Sequence, residues 1–386
     1  DHKRKVKIPK IKYGVPRIQQ GLVIKKSLQF SSFFVFLFKE KAISHHLLSS
    51  HLMNSLVTAM VNELFETTVY RELDIRASHS QIAREYRGQV DSSIKSLAGY
   101  LNEIRRYFFH FTDHCFNHSV RIIEALGRVL TPDQLKDLSH SELFLLIATS
   151  LVHDIGMLIA ERELQTLAND KEFLDERHSI LKALEFPIKD DWNFRGIERL
   201  VVAEYIRRRH GRRCDLSLNG NCTPCRQLTN GKEELIKWIA RISLGHTLDF
   251  NSICNLGEYP TNVLVGTEPT NIQFLTICMR IGDLLDITTA RISPALRELS
   301  EQLQALSANH WDQYRDIEVR GLAPRENITI AGTCPSQGAE RLLREWVNWL
   351  REECEKAVLT LNNGPQRYSL QLGRVEYQVK PKCDSS

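Results

Sequence analysis

From about residue 56 onward, apolar side chains recur at the three-to-four-residue spacing of a helix face. Val57, Met60, Val61, Leu64 and Phe65 form one such stripe, and Ile94, Leu97, Leu101 and Ile104 form another within 93–109. A helix is predicted from Asp113, capped by Thr112, with Val120, Ile123, Leu126 and Leu130 turned inward. Ser141 is the expected cap of a helix over 142–153, whose run from Leu143 to Val152 is apolar on nearly every side and so reads as buried. Helices also fit 196–210, 233–245 and 271–286. Two stretches break the pattern: 216–231, punctuated by Asn, Gly, Pro and Cys, and 251–270. Past 315 the period changes. Ile317-Glu318-Val319 and Ile328-Thr329-Ile330 alternate as strands do, 338–361 reads as a long helix, and 368–379 as strand again. The fold expected is mainly α: a helical bundle over 56–315, with an irregular Cys-containing insertion at 214–231, and a small α+β appendage over 316–386. Residues 1–55 fit neither period and are expected to form an N-terminal arm.

Composition narrows the class. A chain of 386 residues can bury a sizeable core, and 42% hydrophobic with 25% charged residues is the balance of a soluble globular protein. A net charge of +4 permits an anionic substrate without demanding nucleic acid. Nine cysteines at irregular spacing do not form a secreted disulfide framework, so a reducing, cytoplasmic location is expected. No run reaches the ~20 apolar residues of a membrane span. The nearest, Phe33 to Phe38, follows a basic stretch that includes Lys3, Arg4 and Lys5, and no small-residue cleavage site succeeds it.

The chemistry concentrates at a few positions. His153 and Asp154 arrive together at the end of a buried helix, followed by Ile155-Gly156. Upstream, His110, His114 and His118 lie four apart and are expected to share one helix face; downstream, Asp283 and Asp286 lie three apart on an apolar helix. Ligands from separate helices can converge on a cation inside a bundle. A mixed imidazole and carboxylate set suits Mn, Fe, Co, Ni or Zn better than Ca.

His118-Ser119 with Arg121, then Leu151-Val152-His153-Asp154-Ile155-Gly156, then Arg280-Ile281-Gly282-Asp283, resembles the H…HD…D signature of the HD superfamily of metal-dependent phosphohydrolases. His210 and His246 fall between the last two parts, as in the two-metal members. Thr112-Asp113-His114 and the run Arg280 to Ile287 resemble the HD-CE subgroup more narrowly. The resemblance implies an HD-type helical bundle holding one or two divalent transition metal ions. His118, His153, Asp154 and Asp283 would hold the first ion, and His210 and His246 the second, with Asp154 bridging. It also implies hydrolysis of a phosphate ester, a nucleotide or cyclic nucleotide above all, by metal-activated water, with Asp154 catalytic; His114 is a further catalytic candidate, as proton donor to the leaving group in place of water, or else a metal or substrate contact. HD-CE domains often precede a chaperone-type (GHKL) ATPase in prokaryotic conflict and stress systems. This chain ends too soon after 315 for one, so that partner is expected to be missing, separate or cut away.

Arg208, Arg209 and Arg212 bracket His210 and are expected phosphate contacts, while Arg280 is expected either to clamp phosphate or to pair with Asp283. Cys214, Cys222 and Cys225, with Cys254 as fourth ligand, offer a structural zinc site against the plainer reading of unpaired thiols in a loop. Two rival functions stand beside the phosphohydrolase: an HD-type nuclease on single-stranded nucleic acid, and an inert scaffold or nucleotide-binding module. A homo-oligomer is expected in each case.

Overall fold

The computed structural model describes residues 57–106, 108, 112–167, 169–183, 197–220, 222–292 and 311–381. The expected N-terminal arm and His110 lie outside them. Fourteen helices are numbered here: α1 (57–66), α2 (Thr68–Ala77), α3 (Gln81–Asn102), α4 (Phe116–Val129), α5 (Pro132–Asp137), α6 (His140–Val152), α7 (Glu161–Leu167), α8 (Lys171–Ala183), α9 (Ile197–Asn219), α10 (Thr223–Thr229), α11 (Glu233–Gly245), α12 (Phe250–Ile253), α13 (Ile272–Leu285) and α14 (Gln337–Leu361). The strands are β1 (Val263–Val265), β2 (Glu268–Thr270), β3 (Ile317–Arg320), β4 (Ile328–Cys334) and β5 (Val375–Pro381). Residues 161–205 form a separate unit, in which Phe173 packs edge-on against Tyr205. Everything described below belongs to the main unit.

The centre of the main unit is α6. Every residue from Ser141 to Val152 is buried, as its unbroken apolar run predicts. It packs against α2, α3, α4, α11 and α13. Its N-terminus carries a capping box two residues earlier than expected, at Ser139 rather than Ser141. The Ser139 hydroxyl accepts from the Glu142 amide, and Glu142 accepts from the Ser139 amide. The other Glu142 oxygen accepts from the Asn271 amide and the Tyr368 hydroxyl, so one buried carboxylate fastens the starts of α6 and α13 to the C-terminal segment.

Helix α4, by contrast, begins later than predicted. Its N-cap is Cys115, whose amide donates to the Asp113 carboxylate, while the Asp113 amide donates to the Arg291 carbonyl. Those bonds hold 112–114 as an extended approach, so His114 reaches the site from before the helix rather than along its face. The supposed loop at 214–231 is mostly helical. Helix α9 continues to Asn219, and α10 starts with Pro224 in its first turn, where a missing N–H costs nothing. The irregular stretch at 251–270 contains a short antiparallel hairpin, β1–β2, turning at Gly266 with φ +62°.

The C-terminal segment matches its predicted character. β3 pairs antiparallel with β4, and β4 pairs parallel with β5 across the connection that contains α14. The last strand starts at Val375 rather than 368, after a short 3-10 turn at Gln366–Tyr368. Helix α14 packs on both the sheet and α13.

Candidate metal centre

Five helices deliver candidate ligands to one region. His118 lies in the first turn of α4, His153 is the C-cap of α6, His246 is the C-cap of α11, and Asp283 sits in the last turn of α13. His210 comes from the middle of α9. Asp154 follows His153 in the bridge conformation (φ −93°, ψ 3°), which lets two adjacent side chains converge, with His153 Nε2 3.1 Å from Asp154 Oδ2. Glycine is required next. A Cβ on Gly156 would lie 2.0 Å from the His210 carbonyl oxygen, so the bare backbone there lets α9 approach the turn. Arg213 clamps the same contact, donating to the carbonyls of Gly156 and Leu158.

The tautomers follow from the hydrogen bonds. His153 Nδ1 sits 2.9 Å from the Ser150 carbonyl and His210 Nδ1 2.6 Å from the Arg207 carbonyl; His246 Nδ1 contacts the Ser243 carbonyl. His118 Nδ1 lies 2.6 Å from Asp286 Oδ2. Each acceptor carries no proton, so each Nδ1 donates, and each ring in its neutral form turns an Nε2 lone pair inward. His118 Nε2 and His153 Nε2 are 3.3 Å apart, and His210 Nε2 and His246 Nε2 are 2.8 Å apart. Facing lone pairs at that range repel unless a cation holds them. Two donors at ~2.0–2.1 Å from one ion are separated by about 3 Å, which is the spacing seen.

The Asp154 carboxylate has two sides. Oδ2 lies 3.1 Å from His153 Nε2 and 3.6 Å from His118 Nε2, with Asp283 Oδ1 3.1 Å from that same His118 nitrogen. Oδ1 lies 3.3 Å from His210 Nε2 and 4.0 Å from His246 Nε2. Three overlapping sets, His114/His118/Asp154, His118/His153/Asp283 and His153/Asp154/His246, each bring ligand atoms within 4.8 Å of one another. The donors present therefore fit a divalent cation.

Electrostatics agree with ligand duty. Burial works against both carboxylates, but the His153 and His114 rings beside Asp154, and the His118 contact to Asp283, outweigh it; both stay ionised far below the ordinary range. Burial lowers His246 to about 3 and His114 to about 4, and it lowers His210, keeping all three neutral at pH 7. For His153 burial is overcome by the Asp154 carboxylate, and its pKa rises.

Two supporting residues stand behind these ligands, of which the sequence singles out Asp286 but not Arg291. Asp286 accepts from Arg121 through both carboxylate oxygens as well as from His118. Arg291 is buried beside it, with its NH2 group 3.4 Å from His114 Nδ1 and its Nε without a hydrogen-bond partner among the described residues. Nothing in the local pattern marks Arg291, which becomes a neighbour only through the fold.

Other expected site residues fall elsewhere. Arg280 does not face a phosphate position, nor does it pair with Asp283. It is buried, bonded to Glu353 and to backbone carbonyls. Arg208 and Arg212 are exposed on α9, about 200° around the helix from His210; half-buried Arg209 precedes it directly. The cysteines do not assemble a zinc site. Cys222 and Cys225 are joined as a disulfide, and Cys254 is exposed. Cys214 is buried in α9 against the Val152 carbonyl, and burial pushes its thiol up to about 12. Among the described residues, no metal-suited group contains a cysteine.

The HD-CE family matches residues 108–356, more than half of the chain, and the chain belongs to that family. Family and clustered ligands together define an HD-type metal-dependent phosphohydrolase that works through metal-activated water. No curated protein and no solved structure matches the chain. No helix among the described residues is long and apolar enough to cross a membrane.

Proposed function

We propose that this site hydrolyses the phosphate ester of a nucleotide or cyclic nucleotide with two divalent cations bound. One observation carries the reading: the two oxygens of Asp154 face two different histidine pairs, His118/His153 on one side and His210/His246 on the other. Asp283 completes the first half. Cations of the Mn, Fe, Co, Ni or Zn group would supply Lewis acidity to phosphoryl oxygens and acidify a water toward neutral pH.

The protein's own groups do the rest. Asp154 stays ionised and orients both halves. The open side is marked by the more exposed ligands: Asp283 at 23%, His114 at 19% and His210 at 15% side-chain exposure. A phosphoryl group entering there reaches His114. His114 holds its proton on Nδ1, against Asp154 Oδ2 at 2.9 Å. Its Nε2 is then a lone pair that can take a proton from water and cannot deliver one to a leaving group. His114 is thus a proton acceptor, and the leaving oxygen draws its proton from solvent.

The test is a panel of mononucleotides, cyclic nucleotides and single-stranded oligonucleotides, run with added Mn²⁺ on wild type and Asp154→Ala. Turnover of mononucleotides or cyclic nucleotides that Asp154→Ala abolishes supports the proposal. Turnover confined to oligonucleotides favours the nuclease, and binding without turnover favours the inert module; either outcome overturns it.

A further inference from the structure

Arg280 lies one turn before Asp283, yet its guanidinium points the other way and is fully engaged. Nε and NH2 donate to the two oxygens of Glu353 at 2.5 and 3.1 Å, an ion pair at 5% and 3% side-chain exposure. NH1 donates to three carbonyls, those of Gly245 (3.3 Å), His246 (3.0 Å) and Leu248 (2.5 Å). These are the terminal carbonyls of α11 and its exit, groups that no helical N–H can satisfy. A cation is the favoured cap for them, because the negative end of the helix dipole lies there.

The capped residue is His246 itself. Its ring is held by the Ser243 carbonyl one turn back, and its backbone is held by Arg280. Glu353 comes from α14, in the C-terminal segment, and it also receives the Trp349 indole N–H at 3.3 Å. A guanidinium buried this deeply needs its counter-charge in place, since removing one partner strands the other. The chain of contact therefore runs from α14 through Glu353 and Arg280 to the C-cap that carries His246. The HD-CE match, ending at 356, includes Glu353.

We infer that Glu353 and Arg280 are positioning residues for the His246 half of the metal centre. The C-terminal α+β segment is then part of the machinery that sets metal affinity, not an accessory. This inference rests on the two-cation reading above, and the experiment separates the two.

Mn²⁺ is titrated calorimetrically, with elemental analysis of metal per chain, into wild type, His246→Ala, Glu353→Gln and the double variant. Glu353→Gln is close to isosteric, and Arg280→Lys runs beside it so that one folded variant, checked by circular dichroism, suffices. The expected result is a weaker equivalent lowered about 10-fold or more by Glu353→Gln, in the range for losing an outer partner of a ligating histidine, with the tighter equivalent unchanged. The double variant should bind no worse than His246→Ala alone, because both changes disable the same half. A general loss of stability would instead weaken both equivalents, or add to the His246→Ala effect, and would overturn the inference. Loss in His246→Ala with wild-type binding in Glu353→Gln and Arg280→Lys refutes this inference alone. Wild-type binding in His246→Ala refutes the two-cation reading, and this inference with it.

Discussion

Asp286→Asn isolates the part played by a residue that binds no metal. In the wild type, Oδ2 accepts from His118 Nδ1 and Arg121 NH2, while Oδ1 accepts from Arg121 Nε. An amide offers one oxygen and one NH2, so one set of donors must face another donor. If the oxygen stays with Arg121 Nε, the NH2 opposes His118 Nδ1–H at the present 2.6 Å. The cheapest relief is for His118 to move its proton to Nε2, the atom 3.1 Å from Asp283 and aimed at the cation site. A ligand nitrogen is then blocked. Loss of such a partner costs about 10–100-fold in metal affinity, roughly 1.4–2.8 kcal/mol. Buried Arg291 also loses a nearby charge, so the metal-free protein should lose stability on the order of 3 kcal/mol. Calorimetric Mn²⁺ titration and urea unfolding in chelator read the two effects separately. Unchanged affinity of the tighter equivalent in a folded Asp286→Asn protein would refute the tautomer argument.

Other consequences are as direct. Gly156→Ala places a methyl group 2.0 Å from the His210 carbonyl oxygen and 2.7 Å from the Cys214 amide nitrogen, both backbone atoms that cannot swing aside. Urea unfolding should show a loss of about 3 kcal/mol, with reduced metal uptake; wild-type stability would contradict the close approach. In the metal-free protein, His246 (about 3) and His114 (about 4) titrate below the unfolded value of about 6.5, so the unfolded chain binds more protons as pH falls. Stability is then full above about 6.5 and falls by up to about 2.7 kcal/mol per pH unit toward pH 4. A raised pKa such as that of His153 contributes stability that is fully present below the unfolded value and is lost only as pH rises above it, so it does not offset the slope. A flat unfolding free energy between pH 4.5 and 6.5 would contradict it. Replacing Cys222 and Cys225 by Ser should leave zinc content unchanged, and a loss of one zinc per chain would restore the cysteine site.

The sequence displayed the parts of this site that local chemistry announces. His153-Asp154 stood out because two ligands end a helix with no other polar residue in its final turns except Ser150 and Thr149, and periodicity located α6, α11, α13 and α14 within a few residues. What stayed hidden depends on partners far along the chain. Asp286 and His118 are 168 positions apart, and Arg280 and Glu353 are 73 apart, so neither spacing carries a local signal. Arg280 read as a phosphate ligand because it adjoins Asp283 in sequence, yet a three-residue step on a helix also permits the guanidinium to reach a neighbouring helix end. The 214–231 region misled through its turn-forming residues. Pro224 is harmless in a first helical turn, and other turn formers fall at helix ends, with Gly220 just past α9 and Asn230, at φ 49°, the C-cap of α10. His114 was placed on a helix that Asp113 and Cys115 instead delay.

In the proposed site, imidazoles and carboxylates from four helices and one turn enclose cations on both sides of Asp154. Anomalous diffraction from crystals grown with Mn²⁺ addresses it most directly. One peak is expected against His118, His153, Asp283 and Asp154 Oδ2, and a second against His210, His246 and Asp154 Oδ1. A map with no peak among these residues, or with its metal bound elsewhere, would contradict it.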